Sequence, residues 1–284
     1  MLAHLVWDPS PALFNFNLPL LGRPLLWYGF LFALGFFAGY RVLLYLLRRY
    51  FLSKAPFSTS SLDLKKKVAS FADSLSFHVI LGAIIGARLG DLLFYQEWNT
   101  FMRHPASILA VWEGGLASHG GAVGILIALL LFSKRQKIAF WTAVDMVVIP
   151  TALVGCFIRV GNFINQEILG TATTVPWGVI FMHPVDGGAL IPRHPVQLYE
   201  ALIYTAVFCI LLLVWRRSPP FQIPGKMAGL FLVLIFTARF FIEFLKVEQS
   251  VSISSHSPLT MGQWLSLPFL ALGVWLLMRK KRSA

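Results

Sequence analysis

The segment Gly155-Cys-Phe-Ile-Arg-Val-Gly-Asn-Phe-Ile-Asn-Gln-Glu-Ile-Leu-Gly170 places several polar side chains at the end of an apolar run that begins near Ile138. Arginine at the centre of a membrane helix costs about 3 kcal/mol on insertion scales, so it usually faces a polar cavity or a partner. Arg159, Asn162 and Asn165 are spaced three residues apart and therefore share one broad face of a helix. We interpret this face as a binding surface inside a membrane protein.

The whole chain has the composition of an integral membrane protein. Of its 284 residues, 57% are hydrophobic, and the mean hydropathy is +0.72, so the chain has more apolar surface than a soluble domain of this size can bury. The net charge of +12 does not indicate nucleic-acid binding, because the basic residues form short clusters between apolar runs. Residues 1–24 lack a basic region followed by an apolar core, so no cleavable signal peptide is predicted.

Seven apolar runs are long enough to cross about 30 Å of hydrocarbon as helices. They predict an all-α, polytopic membrane protein with about seven transmembrane helices. The segments are 25–47, 76–95, 115–132, 138–165, 195–215, 227–247 and 261–278. On one side of the membrane, the connections and the carboxyl-terminal tail hold 16 Lys and Arg residues, whereas the other side holds 4. Because positive residues favour the cytoplasmic side, we expect the amino terminus outside and the carboxyl terminus in the cytoplasm.

The connections complete a single integral membrane domain over residues 1–284. The connection 166–194 is rich in Gly, Pro and Thr and is expected to form a small extracytoplasmic head or lid. The connection 48–75 is expected to be cytoplasmic. Within it, Ser60-Ser-Leu-Asp63 has the pattern of a helix start that would extend the second helix beyond the membrane.

Several polar residues share one predicted depth in the membrane. Counting from the outer end of each segment places them about 5–12 Å below the outer boundary; they are Tyr28, Arg88, His119, Arg159, Arg239 and Glu243. His194 and Glu200, at the outer start of the fifth segment, could join this layer. The depth matches the headgroup and glycerol of an outer-leaflet phospholipid, and arginine binds a phosphodiester in a planar, bidentate fashion. We therefore predict a phospholipid ligand.

Structural roles compete with ligand binding at some of these positions. Arg88 can pair with Asp91, three residues further along its helix, and Arg239 can pair with Glu243, four residues further along. An ion pair between helices or within one explains a single membrane arginine about as well as catalysis does. Both interpretations therefore remain open for the arginines.

The surroundings of His119 favour a functional role for this residue. Flanking glycines are expected to leave its ring accessible; they are Gly114, Gly115, Gly120, Gly121 and Gly124. Cys156 and Cys209 lie inside apolar runs and are interpreted as small core residues, which form neither a disulfide framework nor a metal site.

Short motifs along the chain resemble one family of enzymes. The sequence Arg-Val-Gly-Asn-Phe-Ile-Asn-Gln-Glu at 159–167 closely resembles the signature of the bacterial prolipoprotein diacylglyceryl transferases. Further similar motifs follow in family order: Trp27-Tyr-Gly29, Gly86-Ala-Arg-Leu-Gly90, Trp112-Glu-Gly-Gly-Leu116, His119-Gly-Gly121, Arg193-His-Pro-Val-Gln-Leu-Tyr-Glu200, Arg239-Phe-Phe-Ile-Glu243 and Met261-Gly-Gln263. Each motif alone is weak, but the set is highly specific.

The resemblance implies an enzyme of the bacterial cytoplasmic (inner) membrane. Such an enzyme transfers the diacylglyceryl group of phosphatidylglycerol to the lipobox cysteine of a preprolipoprotein, forming a thioether and releasing glycerol 1-phosphate, with no metal or other cofactor. By motif match, the catalytic residues are His119, Arg159 and Arg239. Further phosphatidylglycerol-binding positions are Tyr28, Arg88, Asn162, Glu167, Gly170 and Glu243. Either His119 or Glu243 would take the thiol proton, and the arginines would neutralise the phosphate.

The chain departs from the family pattern at three places. Ser118 stands where an aromatic residue is expected, Ile235 stands where a tyrosine is common, and Lys246-Val-Glu-Gln249 replaces a basic-x-Pro-Asp sequence. Because of these departures, a role for a tyrosine on the sixth helix and the family's shape of the peptide entrance are not carried over to this chain.

Two other classes of membrane protein fit the composition. A transporter of an anionic solute is the first alternative, but the chain has neither internal repeats nor polar sites near the midplane. An intramembrane hydrolase is the second, but neither Gly-x-Ser-x-Gly nor His-Glu-x-x-His occurs.

Overall fold

The protein is mostly helical in the computed structural model, which describes residues 4–17, 24–54, 60–94, 117–217, 223–247 and 258–280. The helices are α1 (Trp27–Leu52), α2 (Ser61–Phe94), α3 (Ser118–Gln136), α4 (Phe140–Ile164), α5 (Val196–Arg217), α6 (Lys226–Ile242) and α7 (Met261–Met278). A 3₁₀ turn, Glu243–Leu245, continues α6. Each predicted apolar segment thus overlaps one helix.

The helices have the length and composition of membrane spans. Within the described ranges, six of them are long and apolar enough to cross a membrane, namely all except α3, which begins Ser-His-Gly-Gly and ends Lys-Arg-Gln. The chain is therefore a polytopic membrane protein. The count of seven spans and the orientation of the termini remain predictions.

The start of α2 agrees with the capping pattern in the sequence. The backbone N–H of Asp63 donates to Ser60 Oγ at 3.2 Å, and the helix begins at Ser61. This bond satisfies one of the free N–H groups of the first turn. Since α2 has 34 residues, it is about 51 Å long and extends well beyond a 30 Å hydrocarbon layer.

The chain forms two compact units, residues 43–146 and residues 1–42 with 147–284. In the first of these, α2 and α3 pack backbone to backbone. Gly86 and Gly90 of α2 face Gly120 and Gly124 of α3 so closely that a Cβ at any of the four would overlap main-chain atoms of the other helix. Small residues permit this approach in membrane helices. Gly120 and Gly124 therefore serve helix packing, and His119 itself is exposed, as the sequence predicts.

The other unit carries short strands that the sequence did not predict. Strand β1 (Leu5–Trp7) pairs in parallel with β4 (Val179–Phe181), which pairs antiparallel with β5 (Pro192–Arg193). Strands β2 (Ala12–Asn17) and β3 (Pro24–Leu26) form a separate antiparallel pair. These ribbons are too short to change the helical class.

The small β1-β4-β5 sheet is packed against the end of α4. A cluster of Phe163, Leu169, Val179 and Phe181 is buried there, and Trp7 packs against it. The Trp7 indole donates to the Phe163 carbonyl at 3.0 Å, and the two rings are 4.5 Å apart. The indole N–H thus donates to one of the carbonyl groups that a helix leaves without a partner at its end.

Segment 166–194 is ordered by an ion pair of its own. Arg193 Nη1 donates to Asp186 Oδ2 at 2.8 Å, and the Gly188 N–H donates to Asp186 Oδ1 at 3.0 Å. Burial alone would raise the pKa of Asp186, but these hydrogen bonds and the guanidinium charge hold it below its ordinary value. Arg193 is buried, so the pair fixes the loop between β4 and β5.

Candidate functional site

The polar residues at the end of α4 form a connected cluster. The helix ends at Ile164, and Gln166 and Ile168 then adopt left-handed backbone conformations, with φ of 56° and 55°. These conformations are uncommon for residues other than glycine, and strained backbone of this kind is concentrated at functional sites. The reversal brings Glu167 back to the helix, where Asn162 Nδ2 donates to Oε2 and Asn165 Nδ2 to Oε1, both at 2.9 Å.

Arg159 connects this cluster to α5. Its Nη1 donates to Asn162 Oδ1 at 3.3 Å, and its Nε lies 3.0 Å from Glu200 Oε2, an ion pair in which the N–H is not aligned for a hydrogen bond. The pair is largely buried, with 15% of the Arg159 side chain and 6% of the Glu200 side chain exposed. The partner that the sequence did not specify for Arg159 is therefore Glu200.

Glu200 binds a second cation from the end of α6. Lys246 Nζ donates to Glu200 Oε1 at 2.7 Å and lies 3.9 Å from Glu243 Oε2. One carboxylate is therefore shared between Arg159 and Lys246, which come from separate parts of the chain. The sequence named Lys246 only as part of a departure from the family pattern, because nothing in the spacing relates it to Glu200.

Gly170 allows the close backbone contacts that hold Lys246 beside Glu200. Residue Gly170 pairs with Lys246 in an antiparallel bridge, flanked by N–H···O=C bonds from Thr171 to Leu245 and from Val247 to Leu169. A Cβ at Gly170 would overlap the carbonyl oxygen of His194. Backbone from two other segments therefore approaches Gly170 closely.

Arg239 lies near the same carboxylate without binding it. A small cavity is lined by Glu200, Ile203, Tyr204, Ile235, Ala238, Arg239 and Ile242. Ile235, which replaces the common tyrosine, is one wall of this cavity. Among the described residues, the Arg239 guanidinium forms neither a hydrogen bond nor an ion pair. The structure thus places Arg239 in the same cavity lining as Glu200, the partner of Arg159.

The expected pair of Arg239 with Glu243 is absent from the described part of the chain. The Glu243 carboxylate instead lies against the first turn of α7, where a Cβ on Gly262 would overlap it. The amino-terminal end of a helix attracts a carboxylate, and the missing side chain of Gly262 leaves room for it. The spacing along α6 predicted a pair with Arg239, but the first turn of α7 competes for the Glu243 carboxylate.

Tyr28, in the first turn of α1, lies beside α4. A Cβ at Gly161 would come within 2.9 Å of the Tyr28 ring, so the absence of a side chain there allows the ring to pack on the helix. The Tyr28 side chain is half-buried. The Tyr28 ring thus packs on α4 at Gly161, which is two residues after Arg159 and one residue before Asn162.

The unit formed by residues 43–146 contains the two remaining predicted site residues. Arg88 Nη1 lies 3.7 Å from Asp91 Oδ2, so the predicted pair on α2 is confirmed. His119 is exposed in the first turn of α3, and the motif Trp112-Glu-Gly-Gly-Leu116 before it lies outside the described residues, as do Gly114 and Gly115. The common layer that would include Arg88 and His119 remains a prediction.

The remaining candidates take peripheral positions. His194 is 3.3 Å from the Tyr199 hydroxyl, which also accepts from Trp177 Nε1 at 2.7 Å. Cys156 is half-buried and accepts from Thr205, but Cys209 is exposed on α5, which corrects its assignment to the core. An apolar run does not specify which of its residues face outward.

Comparison with known proteins gives this cluster a family context. A sequence profile of the prolipoprotein diacylglyceryl transferase family matches residues 16–279. A protein of Porphyromonas gingivalis named phosphatidylglycerol-prolipoprotein diacylglyceryl transferase is 40% identical over 292 aligned positions, which cover 99% of this chain and 96% of that protein. One from Tolumonas auensis is 40% identical and covers 96% of both chains. One from Protochlamydia amoebophila is 45% identical over 76% of this chain and 59% of that protein.

The matched region contains α1 to α7 almost entirely, together with every residue of the polar cluster. Identity of about 40% over nearly the full length of two relatives makes a shared family the direct interpretation. This chain is a member of the prolipoprotein diacylglyceryl transferase family.

Proposed function

We propose that this chain transfers the diacylglyceryl group of phosphatidylglycerol to the lipobox cysteine of a prolipoprotein. It is a membrane-bound transferase that acts in lipoprotein maturation, and the transporter alternative is not favoured. The strongest support is the family match over residues 16–279, which includes the buried ion pair of Arg159 and Glu200. The relatives named above carry both substrates in their names.

The charges around Glu200 suggest a division of labour between the two arginines. Glu200 already pairs with both Arg159 and Lys246, whereas Arg239 has no carboxylate partner among the described residues. Arg239 is therefore the cation whose fork is free to bind the phosphate of phosphatidylglycerol. Arg159 is oriented by Glu200 and Asn162 and provides a second, pre-positioned donor.

The proposed reaction is a substitution at the glycerol carbon. The substrate thiolate forms a carbon–sulfur bond, the carbon–oxygen bond to the phosphate breaks, and glycerol 1-phosphate leaves with the electron pair. Arg159 and Arg239 stabilise the charge on the leaving phosphate. The thiol proton passes to His119 or Glu243, both of which the family motifs include. Neither cysteine of this chain takes part.

We place this reaction at the outer face of the bacterial inner membrane, with segment 166–194 as the extracytoplasmic head. The distribution of Lys and Arg supports this orientation. Tyr28, Asn162, Glu167 and Gly170 then lie on the side where the lipobox cysteine is exposed. Arg88, in the motif Gly86-Ala-Arg-Leu-Gly90, is proposed as a phosphatidylglycerol-binding residue on the strength of the motif match alone.

The direct test is incubation of the purified protein with phosphatidylglycerol and a lipobox peptide, followed by mass spectrometry of the peptide. The expected product is a peptide heavier by one diacylglyceryl group, with an equal amount of glycerol 1-phosphate. A peptide with Ser in place of the lipobox Cys is the control and is expected to remain unmodified. Absence of a mass increase on the Cys peptide, with a folded protein, would overturn the proposal.

A further inference from the structure

A second, basic cavity lies at the other end of α1 from Tyr28. Its volume is about 560 Å³, and it is formed by the carboxyl-terminal ends of α1 and α3 and the amino-terminal third of α2. The lining residues are Tyr50, Phe51, Lys54, Lys67, Ser70, Phe71, Ser74, Arg135, Gln136 and Ile138. Tyr28 and Tyr50 are separated by roughly 33 Å of helix at 1.5 Å per residue, about the thickness of the hydrocarbon layer. In the topology predicted from the Lys and Arg distribution, the carboxyl-terminal end of α1 is on the cytoplasmic side.

Among the described residues, three cations line this cavity, namely Lys54, Lys67 and Arg135, and no carboxylate does. Two of them are held by aromatic residues. Lys54 Nζ donates to the Tyr50 hydroxyl at 2.8 Å and lies 4.4 Å from its ring centre, and Lys67 Nζ lies 5.2 Å from the ring centre of Phe51. Asp63, one turn before Lys67, forms no ion pair with it in the described ranges. Rings position the charges without neutralising them.

The lining is suited to a phosphate-bearing group. Ser70, Ser74 and Tyr50 add hydroxyl groups to the three cations, and hydroxyls donate to phosphate oxygens. The volume is within the range of about 300–1,000 Å³ typical of small-molecule sites. It also far exceeds the roughly 30 Å³ that one water molecule occupies, so the cavity has room for a group larger than a small ion.

An apolar surface leads away from the cavity along one face of α2. Ser70, Ser74, Phe77, Leu81 and Ile84 follow helical spacing on this face. The three apolar members are exposed, at 63%, 43% and 43%. The two serines precede the predicted span 76–95 and so stand at headgroup depth, while the apolar residues lie within the span. A phospholipid whose headgroup lies in the cavity would therefore have its acyl chains along this face.

From this juxtaposition we propose that the cavity binds the headgroup of an anionic membrane phospholipid, with its acyl chains on the Phe77-Leu81-Ile84 face. Basic pockets between membrane helices on the cytoplasmic side bind such headgroups through charge complementarity. The lipid bound here is not the one that reacts. It links the ends of α1, α2 and α3 at the cytoplasmic boundary.

Native mass spectrometry of the purified protein in neutral detergent tests this site. Phosphatidylserine is the anionic probe and phosphatidylcholine the neutral one. Two variants change lining residues, Lys67→Gln and Arg135→Gln. Their controls are Lys66→Gln and Lys134→Gln, each of which removes one positive charge from a neighbouring residue outside the lining. Each lining variant is expected to retain phosphatidylserine about fivefold more weakly than wild type, and the controls to match wild type. Phosphatidylcholine retention is expected to be equal in all of them.

The same preparations distinguish a lipid from a free anion. Lys67→Arg is expected to restore phosphatidylserine retention, which separates charge from misfolding. Diacylglyceryl transfer is expected to be unchanged in Lys67→Gln. Equal loss of phosphatidylserine in the lining and control variants would overturn the proposal. So would thermal stabilisation of wild type by inorganic phosphate at concentrations where phosphatidylserine gives none, because the ligand would then be a soluble anion.

Discussion

The Arg159 guanidinium faces the Glu200 carboxylate across α4 and α5, with Nε 3.0 Å from Oε2. Both side chains are largely buried, and the other oxygen of Glu200 binds Lys246 at 2.7 Å. Because the two cations share one buried carboxylate, the position and the charge compensation of each depend on Glu200. The first three predictions below follow from this arrangement.

Replacing Glu200 by Gln is expected to destabilise the protein. Two buried cations would lose their common carboxylate, and breaking a buried pair by removing one partner typically costs about 3 kcal/mol or more. Thermal unfolding in one detergent, compared between wild type and Glu200→Gln, measures the effect. Asp186→Asn is the control, since it removes a carboxylate from the more exposed pair with Arg193. A melting temperature of Glu200→Gln equal to that of wild type would show that the pair has no structural role.

Lysine substitutions are expected to separate the two arginines. Arg239→Lys should retain the melting temperature of wild type, because Arg239 has no partner to lose among the described residues, but should lower turnover about tenfold through loss of a charge-assisted hydrogen bond to phosphate. Arg159→Lys should lower both quantities, since it also disturbs Glu200. Phosphatidylglycerol binding and unfolding are measured on the same samples. Unchanged lipid binding with a lowered melting temperature in both variants would leave the arginines as helix-pairing residues only.

Gly170→Ala is expected to lower the free energy of unfolding by about 1–3 kcal/mol, the usual cost of overpacking. The added Cβ would overlap the carbonyl oxygen of His194 and shift the bridge that carries Lys246. Gly29→Ala is the matched control, because the described part of the chain has no atom within 4 Å of the Cβ position there. Unfolding curves of the two variants test the prediction, and equal stability would contradict it.

Much of the fold follows from the sequence, because the length of an apolar run is a direct constraint in a membrane. Helix α4 was predicted at 138–165 and extends over Phe140–Ile164. Strand β4 was not predicted, since three residues without alternation carry no signal. The pair of Arg159 and Glu200 joins residues 41 positions apart, and no local spacing encodes such a contact. The i,i+4 rule did suggest a partner for Arg239, but the first turn of α7 attracts Glu243 instead.

His119→Ala is expected to lower kcat by about 100-fold or more with a smaller change in KM, because a proton acceptor acts mainly in the transition state. Steady-state kinetics with phosphatidylglycerol and a lipobox peptide across pH provide the measurement. Glu243→Gln is measured in parallel. Near-wild-type activity of His119→Ala at every pH would make Glu243 the better candidate for the base.

Cysteine labelling tests the predicted orientation. In a chain with Cys156 and Cys209 replaced by Ala, which is expected to remain active, Ser283→Cys should be protected from a membrane-impermeant maleimide applied to the extracytoplasmic side. Ser10→Cys, at an exposed position near the amino terminus, should react. Labelling of Ser283→Cys from outside would reverse the orientation, and an inactive but folded Cys-free chain would implicate a cysteine in the reaction.

The sharing of Glu200 by distant segments has a consequence for biogenesis. At about 5–20 residues per second, the ribosome adds Glu200 roughly 2–8 s after Arg159, and Lys246 later still. During this interval α4 enters the membrane with its arginine unneutralised by its eventual partner, at a cost of up to about 3 kcal/mol on insertion scales. A nascent chain arrested between α4 and α5 thus carries an intramembrane charge that lacks its native carboxylate until α5 arrives.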